Sequence, residues 1–146
     1  TRANLASVLR DLGQLERARA EFEAVLAVRT ELLGADHPST LATRHNLAGV
    51  LQDLGQLDQA RTEFEAVLDI ETELQGADHP STLVTRANLA SVLRDLGQLD
   101  QARAEFEAVL ATRTELLGAD HPSTLATRAK LATVLQELGL GDEQNA

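Results

Sequence analysis

The chain repeats itself every 42 residues, and that period constrains its fold more than any single residue does. The string Leu-(Leu/Gln)-Gly-Ala-Asp-His-Pro starts at Leu32, Leu74 and Leu116, and Thr-Arg-x-(Asn/Lys)-Leu-Ala starts at Thr1, Thr43, Thr85 and Thr127. Three full copies, residues 1–42, 43–84 and 85–126, are followed by a partial copy, 127–146, and we read the whole of 1–146 as one repeat domain. The first and third copies differ only at Glu16/Asp100, Arg17/Gln101 and Val28/Thr112, which leaves 39 identities in 42. The middle copy departs from the third at His45, Gly49, Gln52, Thr62, Asp69, Ile70, Glu71, Gln75 and Val84.

At 146 residues and 43% hydrophobic composition the chain is long enough and apolar enough for a substantial core. That core must come mainly from Leu, Val and Ala, because Cys, Met, Trp and Tyr are absent and the only aromatics are Phe22, Phe64 and Phe106. Disulfides, thiolate metal sites and cysteine nucleophiles are excluded. No apolar run approaches the roughly 20 residues of a membrane span and no signal-peptide pattern opens the chain, so a cytoplasmic protein is expected. A start at Thr1, inside a repeat, reads as an excerpt from a longer protein. The net charge of −10 falls mostly on the second copy, with two Arg against eight acids. Nucleic acid and anionic membrane are therefore unfavourable partners: neither a basic footprint nor an aromatic platform for bases is available.

Each copy encodes two amphipathic helices. In the second, Pro38 suits a first helical turn, where its missing N–H costs nothing, and Asp36 or His37 is placed to cap it. Leu41, Leu47, Val50, Leu51 and Leu54 then share a side, and Gly55 permits a left-handed turn at the end. This A helix is expected over about 38–54. The B helix, about 57–75, aligns Leu57, Ala60, Phe64, Val67, Leu68 and Leu74, with Gly76 closing it. A two-residue link folds A back on B as an antiparallel hairpin. Since neither helix can cover its own apolar stripe, each hairpin must lean on the next. The expected order is A1, B1, A2, B2, A3, B3, A4, with A4 over about 122–138 followed by a polar tail.

The positions Leu47, Ala48, Leu51, Leu54-Gly55, Leu57, Ala60, Phe64 and Leu68 resemble the tetratricopeptide repeat pattern. The B helix runs on through Glu71-Thr72-Glu73-Leu74 into Gly-Ala-Asp-His-Pro, which is similar to the 42-residue variety of kinesin light chains and bacterial regulatory proteins. The resemblance covers essentially the whole chain. It implies an all-α, right-handed α-solenoid of antiparallel helix hairpins, seven helices in all, whose inner groove is lined by A helices and binds an extended peptide or a partner's helix.

Helical spacing alone points to the same face, because with Leu47 and Leu51 inward, Ala42, His45, Asn46, Gly49, Gln52 and Asp53 point the other way. Projected onto the other copies this face carries Asn4, Ser7, Arg10 and Asp11; Asn88, Ser91, Arg94 and Asp95; and Lys130, Thr133, Gln136 and Glu137. Asn is a mediocre mid-helix residue, so Asn4, Asn46 and Asn88 are expected ligand contacts, with solvation as the plain alternative. Arg10, Arg94 and Lys130 are candidate readers of acidic side chains, with Asp11, Asp53, Asp95 and Glu137 selecting against the wrong charge; a solvated mixed-charge face is the alternative. The lysine positions of the family's clamp for a terminal carboxylate read Ala3, His45, Ala87 and Ala129, so that ligand is not implied.

Arg44 falls inside the apolar arc of its helix, as Glu71 does on helix B, and a structural ion pair Arg44–Glu71, shared with Arg86, is expected. Asp36-His37, Asp78-His79 and Asp120-His121 are read as caps and loop packing; copies about 10 Å apart cannot share a metal ion. No cofactor is implied. No nucleophile motif or phosphate loop occurs, and every candidate recurs with the scaffold, so an enzyme is not expected. Binding a protein or peptide partner is the leading function. The alternative is a structural spacer or head-to-tail self-association, a homo-oligomer held through terminal apolar surface at Leu131, Val134, Leu135 and Leu138.

Overall fold

The computed structural model describes residues 2–139, and these fold into seven α-helices with no strand. The chain divides into two compact units, Thr1–Leu74 and Gln75–Ala146. The first holds α1 (Arg2–Asp11), α2 (Leu15–Leu33), α3 (Pro38–Asp53) and α4 (Leu57–Gln75). The second holds α5 (Pro80–Asp95), α6 (Leu99–Leu117) and α7 (Pro122–Glu137). Odd-numbered helices are the A helices and even-numbered ones the B helices. The expected polar tail lies outside the described residues except for its first residue, Gly139.

Local chemistry sets the boundaries. Each A helix of a full copy ends in a glycine elbow: Gly13, Gly55 and Gly97 sit at φ +80°, +80° and +82°. The next residue's N–H reaches back to the first orphan carbonyl of the helix, as in Gln56 to Leu51 at 2.8 Å, while Gly55 N–H meets Gln52 O at 3.0 Å. A side chain with Cβ resists that backbone, so glycine is required there. Each later A helix begins alike: Pro38, Pro80 and Pro122 occupy the first turn. Of the two candidate caps the histidine is the one used, its Nδ1 accepting the N–H of Ser39, Ser81 or Ser123 at 3.1 Å.

The core repeats with the sequence. Phe22, Phe64 and Phe106 are each 1% exposed, and Ala18, Ala60 and Ala102 on the same helices are fully buried. On the A helices Ala6, Ala48 and Ala90 are likewise sealed, with Val50, Val92 and Val134. Small residues at these points let helices approach closely, and the phenylalanines fill the space between them. Within the first unit α2 packs on both α1 and α3, and within the second α6 packs on both α5 and α7. Within its unit each of these two B helices, α2 and α6, is thus shared by two A helices, which is how solenoid hairpins bury stripes they cannot cover alone. Truncating Phe64 to Ala should cost about 3–5 kcal/mol. Urea unfolding followed by circular dichroism checks this; a loss below about 1 kcal/mol would mean the ring is not packed as described.

Candidate functional site

The face opposite the core carries the candidate binding residues, and in each unit it is built from two neighbouring A helices. In the first unit, Asn4 and Ser7 on α1 are exposed, while His45, Asn46 and Gln52 on α3 are half-buried. In the second, Asn88 and Ser91 on α5 are half-buried, and Arg94 on α5 and Lys130 on α7 are exposed. None of the three asparagines is sealed in the interior.

The expected arginine readers are engaged with the protein itself. Arg10 on α1 donates from Nε to Asp53 Oδ2 on α3 at 2.9 Å. Arg94 on α5 makes the corresponding bridge to Glu137 on α7. Asp53 and Glu137, two of the four carboxylates expected to select against the wrong charge, instead hold the two arginines, tying α1 to α3 and α5 to α7. The first bridge lies over Gly49: a Cβ built there would stand 2.9 Å from both terminal nitrogens of Arg10. The second uses the longer Glu137 and passes a helix that carries Thr133 at the equivalent place. The hydrogen bond to Glu137 raises the Arg94 pKa above its ordinary value, against a smaller effect of burial.

His45 turns partly inward. Its ring meets Phe64 edge-on, with centroids 5.3 Å apart and planes at 77°. Burial, and then the Arg10 charge, hold its pKa below the ordinary histidine value. Helical spacing predicts the open face for His45; its edge-on contact with Phe64 turns it partly inward instead.

Two other expectations are corrected. Arg44 pairs with Glu63 rather than Glu71, and Arg86 with Glu105, matching Arg2 with Glu21. Glu71 lies eight residues farther along α4, about 12 Å at 1.5 Å per residue, beyond the reach of a side chain anchored opposite Glu63. Glu71 is instead buried, at the repeat position where the other copies carry Arg29 and Arg113. Those arginines escaped the sequence reading: Arg29 reaches from α2 to Thr43 Oγ1 at 2.6 Å and Ser39 O at 3.3 Å on α3. Arg113 repeats the clasp from α6 to Thr127 and Ser123 on α7. The signal lay in the repeat itself, since projecting Glu71 onto its copies lands on both. At the expected self-association edge, Leu131, Leu135 and Leu138 are half-buried but Val134 is fully buried, turned into the packing of α7 on α6. Leu125, outside the expected set, is 47% exposed.

The tetratricopeptide repeat family model matches residues 1–51, 39–103 and 86–143. The chain belongs to the tetratricopeptide repeat family. Among solved structures, a kinesin-light-chain-like protein of Podosopora anserina with nearly identical TPR-like repeats matches at 33% identity and TM-score 0.88, over 97% of this chain and 67% of that one. BtubC (BKLC) from P. vanneervenii matches at 20% identity and TM-score 0.87, with 97% of this chain and 56% of that one covered. A Rap protein complexed with competence and sporulation factor matches at 17% identity and TM-score 0.77, over 94% of this chain and 37% of that one. The latter two likenesses concern the fold alone. No curated protein matches the sequence. With this, the all-α fold of tetratricopeptide-like solenoid hairpins expected from the sequence stands. No helix among the described residues is long and apolar enough to cross a membrane.

The pKa of His45 in this tetratricopeptide repeat generates a pH dependence with a definite sign. The unfolded chain binds a proton at His45 more readily than the folded one does. The contribution is therefore present in full above about pH 6.5, the unfolded value, and is lost as pH falls through the depressed folded pKa. His45→Ala, the residue already at Ala87 and Ala129, should flatten the fall in melting temperature between about pH 7.5 and pH 5. Thermal melts of both proteins across that range check it, and parallel curves would count against a desolvated imidazole.

Proposed function

We propose that the chain is a protein-interaction module that takes a peptide or a helix of a partner on its A-helix face, formed by α1 and α3 in the first unit and by α5 and α7 in the second. The observation that carries this reading is the division of each A helix into a side committed to the core and a side whose Asn4, Ser7, Gln52, Asn88, Ser91 and Lys130 remain at least partly open to solvent. With Arg10 and Arg94 bridged to carboxylates, the face offers amides and hydroxyls more than free charge. Such groups suit the main chain of an extended ligand, which presents alternating donors and acceptors. Membership of a repeat family whose members commonly bind protein partners supports the same reading. Peptides selected from a display library on the intact chain for the α1–α3 face should bind the Asn4→Ala/Asn46→Ala variant about tenfold more weakly in calorimetry, the loss expected from removing two side-chain hydrogen bonds. Equal affinities would overturn the reading.

A second reading, end-to-end self-association, is favoured by a different observation. Leu5 and Val8 on α1 are 48% and 51% exposed, where their copies Leu47, Val50, Leu89 and Val92 are all under 9%. On α7 Leu125 is 47% exposed against 5% for Leu41 and 4% for Leu83. In this chain α1 and α7 therefore offer apolar surface that the same positions elsewhere bury, and two surfaces of unlike shape can dock head to tail. Sedimentation velocity over a hundredfold concentration range should show mass growing with concentration; a monomer throughout removes this reading.

A further inference from the structure

On the first unit, away from the A-helix face, a cleft of about 450 Å³ opens between α2, α3 and α4. None of the candidate groove residues lines it. Its floor is apolar, made by Leu47 and Leu51 of α3, and three carboxylates stand around it: Glu23 from α2, and Asp58 and Glu63 from α4. The rest of the lining, Gln59 and Thr62, is neutral, and no basic side chain contributes. Thr62 is peculiar to the middle copy, its counterparts being Ala20 and Ala104, and its hydroxyl donates to Asp58 O at 3.0 Å.

The surrounding charge is unbalanced. Arg19 is divided between Glu16 and Glu23, Arg61 between Asp58 and Glu65, and Arg44 serves Glu63, so that five carboxylates share three guanidinium groups. Both contacts of Arg61 are long, at 3.6 Å. The side chains of Glu23 and Asp58 are 57% and 83% exposed, so their ion pairs are screened by water and exchange readily for a better partner. An apolar floor beneath an under-neutralised acidic rim is complementary to a side chain with an aliphatic stem and a cationic tip.

We propose that this cleft is a docking site, separate from the A-helix groove, for a lysine or arginine flanked by aliphatic residues in a partner protein. The stem lies on Leu47 and Leu51, the cation meets Glu23 and Asp58, and the volume leaves room for one aliphatic neighbour. The probe is a blocked pentapeptide, acetyl-Ala-Leu-Arg-Leu-Ala-amide, titrated into the intact 15N-labelled chain. Saturable amide shifts centred on Gln59 and Thr62 are expected, weakened when NaCl rises from about 0.05 to about 0.5 M. Replacing the arginine by citrulline, which keeps the shape and removes the charge, should abolish saturation. The Glu23→Gln/Asp58→Asn variant, whose changes are solvent-exposed and leave the core untouched, should bind about tenfold more weakly, while Asn46→Ala binds as the wild type does. Shifts that fail to saturate, that spread evenly over the exposed acids of α2, α4 and α6, or that citrulline reproduces would overturn the proposal, whatever becomes of the groove.

Discussion

The arrangement depends on the sharing of apolar surface between consecutive helices. Leu41, on α3 with a B helix before and after it, is 5% exposed, whereas Leu125, at the same repeat position on α7, the last described helix, is 47% exposed. The sequence around the two leucines is the same, so the neighbours and not the residue decide whether it is buried. Burial of this kind contributes roughly 25 cal/mol per Å² of apolar surface removed from water.

Apolar contact by itself is tolerant of sliding, and the arginines supply register. Three sorts recur, each holding a different neighbour. Arg2, Arg44 and Arg86 fasten an A helix to its own B helix through Glu21, Glu63 and Glu105. Arg29 and Arg113 clasp the B helix to the following A helix through threonine hydroxyls and serine carbonyls. Arg10 and Arg94 bridge one A helix to the next through Asp53 and Glu137. Partly exposed pairs contribute little stability, but a guanidinium fork is satisfied at one axial offset only, so the set discriminates against shifted packings.

What could be read without coordinates was whatever is determined locally. Pro38, His37 and Gly55 act within a turn of themselves, and the helix limits they imply agree with α3 to within a residue. The core side of the A helix follows from 3.6-residue periodicity, which needs no knowledge of neighbours, and Leu41, Leu47, Val50 and Leu51 are all buried. The failures are all questions of what stands opposite. Arg44 was assigned the wrong glutamate because the axial offset between antiparallel helices was left out. Arg10 and Arg94 were thought available because spacing along one helix does not reveal a carboxylate on another. Spacing along α3 does not reveal Phe64 on α4 beside His45, and spacing along α7 does not reveal the α6 packing that buries Val134.

The junctions have an implication for how such a chain varies over generations. The glycine elbow and the histidine-capped proline start are the same in every copy, and the buried alanines and phenylalanines recur in step with them. Excising or inserting one whole period therefore joins an elbow or a cap to the partner it already had, and the gene can drift in copy number while each intermediate still closes its interior.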